Sequence, residues 1–159
     1  MIHGEWICYN VQPELAQRAA QEIQSTLFPL PGDVVTSTQM RKHWRLELLA
    51  EGWATSFRFS MGGLTIGYKK GDVGLCTQLG NAARVYADLL KLQTTFNLGH
   101  IKLAVLVVPS DAYSSYLGTN HAGFSRADRD IKALEATLNM PLVLMEVDNR
   151  RGGDRNSVR

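Results

Sequence analysis

Ile66-Gly67-Tyr68-Lys69-Lys70-Gly71-Asp72-Val73-Gly74-Leu75-Cys76-Thr77-Gln78-Leu79-Gly80-Asn81 is the stretch whose reading decides the fold. Leu64 to Tyr68 and Val73 to Leu79 have strand length and strand composition, and Lys69-Lys70-Gly71-Asp72 between them supplies turn residues, so the stretch predicts a β-hairpin. The second strand runs through Gly80 into Asn81, a residue suited to cap a helix. That helix is predicted over Ala82 to Phe96, with Val85, Leu89, Leu92 and Phe96 on its apolar side and Gly99 closing it.

Downstream, Leu103-Ala104-Val105-Leu106-Val107-Val108 is a continuous apolar run, the pattern of a strand covered on both faces. Ser125 is the expected cap of a last helix from Arg126 to Leu138, and Pro141 introduces a strand over Leu142 to Val147. Upstream, Trp6 to Tyr9 reads as a short strand or lead-in. Pro13 to Leu27 reads as a helix, since Pro13 suits the first helical position and Leu15, Ala19, Ile23 and Leu27 recur at helical spacing. A second helix is predicted over Met40 to Glu51 with Gly52 as its cap, and Thr55 to Ser60 as a strand that Gly62-Gly63 turns back. Helix, helix, antiparallel strands, helix, buried strand, helix, strand is an α/β order: a mixed β-sheet core flanked by helices, with a right-handed crossover from Val73 to Val108.

The chain has 159 residues, 45% hydrophobic and 20% charged, the profile of one globular domain with a real core. A domain over residues 1–148 and a basic, disordered tail over 149–159 are expected, since the tail has four arginines, one aspartate and almost nothing apolar. The formal net charge of +2 gives no global basic field. Two cysteines, Cys8 and Cys76, have no metal spacing and imply no disulfide framework, which fits a reducing cytoplasm. The first residues lack the pattern of a signal peptide, and the longest apolar run is too short to span a bilayer, so no membrane partner is expected.

Tyr9-Asn10 ahead of a helix carrying Glu22-Ile23 and Thr26-Leu27, then Lys42-His43-Trp44 to Trp53, the hairpin, Gln78 followed by a helix, Val105 to Val108, and the final helix and strand come in an order similar to that of the PD-(D/E)XK nucleases. Within that superfamily the chain resembles the BglII and BamHI type of restriction endonucleases over about Tyr9 to Asp148. The resemblance implies a restriction-endonuclease-like fold, double-stranded DNA as partner, a homodimer matched to palindromic sites, and Mg2+ as cofactor if the protein is active. Such enzymes hold magnesium on an aspartate early in the hairpin and a glutamate on the next strand, because the ion takes hard oxygen ligands and polarises the phosphodiester. A third residue lies two positions beyond the glutamate, on the same face of the strand.

Carried onto this chain, the third position is Gln78, as in the BglII branch; the glutamate position is Cys76 and the aspartate position is Gly67. Glycine offers no ligand, and cysteine is a soft one. Three explanations stay open. The carboxylates have moved, Glu22 and Asp72 being the candidate replacements and metal ligands, against their plain readings as a solvated helix face and a turn residue. Or the protein is a pseudo-nuclease that keeps the fold to bind DNA in restriction, anti-restriction or regulation, or to bind another protein. Or it is an engineered inactive variant. Candidate DNA contacts are Lys69 and Lys70 on the hairpin turn, with Arg41, Lys42 and Arg45 as a basic surface nearby, Asn120 and His121 in the loop before the last helix, and Arg150 and Arg151 in the tail.

Overall fold

The computed structural model describes residues 5–28, 30–32 and 36–149. Its elements, in chain order, are β1 (Trp6–Tyr9), α1 (Pro13–Leu27), α2 (Ser37–Ala50), β2 (Ala54–Arg58), β3 (Thr65–Lys70), β4 (Val73–Thr77), α3 (Ala83–Asn97), β5 (Leu103–Pro109), α4 (Asp111–Leu117), α5 (Phe124–Ala133) and β6 (Leu142–Val147). The six strands form one sheet in the order β1-β6-β5-β4-β3-β2. β4, β5 and β6 run parallel to one another, and β1, β2 and β3 add antiparallel.

All seven residues of β5 are buried, so its apolar run meets helices on both faces, as the absence of alternation predicts. Ala104, Leu106 and Val108 face α3 and α5, packing with Leu89, Leu92 and Ile131. Leu103, Val105 and Val107 face α1 and α2, packing with Ile23, Leu27, Trp44 and Leu48. Strand alternation thus divides the core into two sheets of side chains on either side of one backbone layer. Trp44 ties α2 to α1, its buried indole N–H donating to the Leu27 carbonyl at 3.1 Å.

Several boundaries differ from those the sequence predicts. α2 starts three residues before Met40, because Thr36 and Gln39 form a capping box in which each side chain meets the other's backbone N–H. The last helix starts at Phe124 rather than Arg126 and ends at Ala133 rather than Leu138. Ser125 lies inside it; Asp111, from another element, accepts its backbone N–H and its hydroxyl. The expected cap at Asn81 holds in part, since its Oδ1 accepts the Ala83 N–H at 2.8 Å. An unexpected helix, α4, is nucleated by Ser110, whose hydroxyl accepts the Tyr113 N–H at 3.0 Å. Among the described residues no helix is long and apolar enough to cross a membrane.

Candidate nucleic-acid cleft

The sheet forks on the hairpin. β3 pairs with β4 only from Tyr68↔Leu75 to Lys70↔Val73. β3 goes on pairing with β2 back to Thr65, while β4 goes on pairing with β5 through Thr77↔Val107. The two branches part at Gly67 and Cys76. A regular strand would send Ile66 and Tyr68, two residues apart, to the same face. Ile66 instead packs in the core under α3, and Tyr68 packs against the core under α1 and α2. The chain turns over at Gly67. Ser56 lies opposite, between the pairs Thr55↔Tyr68 and Phe57↔Ile66, with φ at 50°, in the left-handed region that a non-glycine residue enters at a cost of order 1 kcal/mol.

A cleft of about 260 Å³ opens in this fork. Its floor and throat are Gly67, Cys76 and Thr77; Thr55, Ser56, Thr65 and Tyr68 line the hairpin side; Arg45 enters from α2, and Asp88 and Lys91 enter from α3. α2 covers one face of the sheet and α3 the other, so this cavity at the β2–β3–β4 end of the sheet is lined from both faces.

The charges in the cleft are coupled. Asp88 Oδ2 accepts from Gln78 Nε2 at 2.9 Å, and its Oδ1 is 4.0 Å from Lys91 Nζ. Burial pushes the Asp88 carboxyl above its ordinary range, while the Gln78 hydrogen bond, Lys91 and Arg84 pull it back in part. The Cys76 thiol is pushed up to about 12, first by burial and then by the Asp88 charge, against a hydrogen bond from the Gly67 backbone and the charge of Lys91. It is therefore a neutral thiol at physiological pH. Burial raises the Tyr68 phenol, with Arg45 opposing. Gln78 is committed inward: besides its bond to Asp88, its Oε1 accepts the Gly80 N–H at 3.0 Å.

The structure separates the residues that the sequence singles out. Gly67 and Cys76 sit together at the throat, and Gln78 reaches the cleft through Asp88. Glu22 does not join them: it pairs with Lys70 at 2.9 Å, beside a separate small pocket with Trp53 and Val73. Asp72 pairs with Lys102 at 3.0 Å on the exposed turn. Lys69 bonds the Gly71 carbonyl and lies over the Phe57 ring, 5.3 Å from its centroid. Asn120 and His121 are stitched to the start of α3, through the Ala82 N–H to the Asn120 carbonyl at 2.8 Å and a bridge between Asn81 and His121. Arg150 and Arg151 lie outside the described residues. The sequence reading passed over Asp88 and Lys91.

This donor set does not fit magnesium. The cleft offers one carboxylate, already bonded to Gln78 and next to a lysine, together with a protonated thiol, a glycine and two cations. An octahedral ion of high charge density wants several hard anionic oxygens instead. Among the described residues no group of three or more histidine, cysteine, aspartate or glutamate side chains is placed to hold a metal.

Comparison with known proteins accords with this architecture. The family described as "Restriction endonuclease BglII/BglIII" matches residues 10–145. No curated protein sequence matches. Among solved structures, restriction endonuclease BglII complexed with a DNA 16-mer superposes with a TM-score of 0.74 at 13% identity, covering 95% of this chain and 78% of that one. Free BglII superposes with a TM-score of 0.67 at 15% identity, covering 95% and 82%.

Proposed function

We propose that this chain, which belongs to the BglII/BglIII restriction endonuclease family, binds double-stranded DNA across the forked edge of its sheet and has lost most or all magnesium-dependent cleavage. The observation that carries the reading is the pair Gly67 and Cys76 at the throat of the cleft, where neither residue presents a hard anionic oxygen. The fold and the family point to DNA as partner; the cleft chemistry points away from metal-assisted hydrolysis. The reading takes the protein as a cytoplasmic, DNA-associated partner in restriction, anti-restriction or regulation.

A second reading is a working magnesium-dependent endonuclease with a rearranged site. One observation favours it: Asp88 brings a carboxylate into the cleft beside Gln78. Glu22 pairs with Lys70 and Asp72 with Lys102, and neither lines the cleft. Supercoiled plasmid incubated with excess protein and magnesium separates the two. Retarded but intact plasmid is expected; nicked or linear products that disappear in Asp88→Asn establish the second reading. A protein that neither retards nor cuts DNA is an interaction module without a DNA role.

A further inference from the structure

We propose that the cleft holds a backbone phosphodiester directly between Arg45 and Lys91, with no bridging metal ion. The inference rests on the DNA-binding reading and adds where, and by what chemistry, the backbone is held. Arg45 lies on α2, whose Trp44 and Leu48 anchor it under one face of the sheet; Lys91 lies on α3, whose Leu89 and Leu92 anchor it under the other. The fork lets the two cations line a single cavity from opposite sides. Both cations therefore border the same cavity, each able to meet an oxygen of a tetrahedral anion.

Three observations make the cleft an anion site. First, the cations are not spent. Among the described residues Arg45 makes no ion pair, and Lys91 has only Asp88, at the 4.0 Å limit of pairing. Asp88's other oxygen already accepts from Gln78. Two positive groups against one partly satisfied carboxylate leave the lining net positive. Second, the lining also carries four hydroxyl side chains, Thr55, Ser56, Thr65 and Thr77, a residue type that donates to phosphate oxygens. Third, the cavity of about 260 Å³ is several times the ~30 Å³ share of a water molecule. Ser56 keeps its left-handed backbone in this lining, and strain of that kind collects at binding sites. Arginine and lysine beside a protonated thiol thus supply the positive charge that a metal would otherwise bring to the phosphate.

The test is fluorescence anisotropy of the full chain with a labelled DNA duplex, in EDTA and then in magnesium, for the native protein and for Arg45→Ala, Lys91→Ala and Asp88→Asn. The native protein is expected to bind in EDTA with no gain from magnesium. Arg45→Ala and Lys91→Ala should each weaken binding roughly tenfold and make the dependence of log affinity on log salt shallower by about one. Asp88→Asn should bind more tightly, because it removes the negative charge of the cleft. A cooperative melt no lower than the native protein's confirms that each variant folds, and Arg45→Gln and Lys91→Gln replace any that does not. Equal binding by the native protein and both cation variants would overturn the proposal and leave the DNA reading intact. Binding that needs magnesium and is lost in Asp88→Asn would also overturn it, in favour of a metal bridge. No binding under any condition would remove the DNA reading, and this proposal with it.

Discussion

Cys76 is the residue on which the chemistry turns. It lies in the cleft lining, 3% exposed, with its thiol pushed up to about 12. The thiolate is the form that reacts, so Cys76 should resist iodoacetamide in the native protein at pH 8 while the half-exposed Cys8 is labelled. Peptide mass spectrometry after a timed pulse checks this, and fast labelling of Cys76 would mean that the throat is open and polar. Asp88 gives a second prediction. Its folded pKa is raised, so ionisation costs stability above that pKa, and the cost fades as pH falls toward the unfolded value. Asp88→Asn should therefore melt higher than the native protein at pH 7.5, and the gap should shrink at pH 4. An equal gap at both values would contradict the assignment. Gly67 and Cys76 were singled out only through the family resemblance of the hairpin, and the structure brings both to the cleft. Asp88 and Lys91 were not singled out. Helical periodicity identifies the apolar side of α3, but not which polar residues on the other side end up over a gap in the sheet.

At the scale of elements, sequence punctuation decided what was legible. Pro13 and Pro141 fix the starts of α1 and β6, and both elements have the bounds that the sequence predicts. The start of α2 was misread because the Thr36–Gln39 capping box lies upstream of its apolar positions. α4 was missed because seven residues give two turns and no readable period. The last helix was misplaced because its cap, Asp111, comes from another part of the chain. Long-range polar contacts of this kind also join β1 to α5. The Tyr9 hydroxyl donates to Asp128, which in turn accepts from Lys132 at 2.8 Å. Burial pushes the Asp128 carboxyl up, but the Lys132 and Tyr9 hydrogen bonds outweigh it and hold the group below its ordinary value. The stability this gives is present above the unfolded pKa and is lost as pH falls through the folded one. Tyr9→Phe should cost about 0.5–1.5 kcal/mol in urea melts at pH 7, and less at pH 3. A variant as stable as the native protein would mean that the contact does not form in solution.

At the scale of the molecule, six strands in one sheet and helices on both faces match the order that the chain shows in sequence. The fork does not follow from that order, since it arises where one strand pairing lapses while its neighbours continue. A palindromic duplex is best met by a two-fold dimer, and symmetric dimers are the commonest oligomers. We expect the protein to dimerise through α3, whose Tyr86 and Leu90 are exposed. Sedimentation velocity should show a concentration-dependent dimer that Leu90→Lys weakens; a monomer at every accessible concentration would count against this assembly. On the proposed reading, the cleft takes a phosphate and does not hold magnesium. Isothermal titration calorimetry of the folded protein with magnesium tests it most directly. No saturable heat is expected, or binding no tighter than the millimolar range, because the cleft offers a single carboxylate to an ion that needs several hard oxygens. Micromolar, stoichiometric binding that Asp88→Asn abolishes would contradict it.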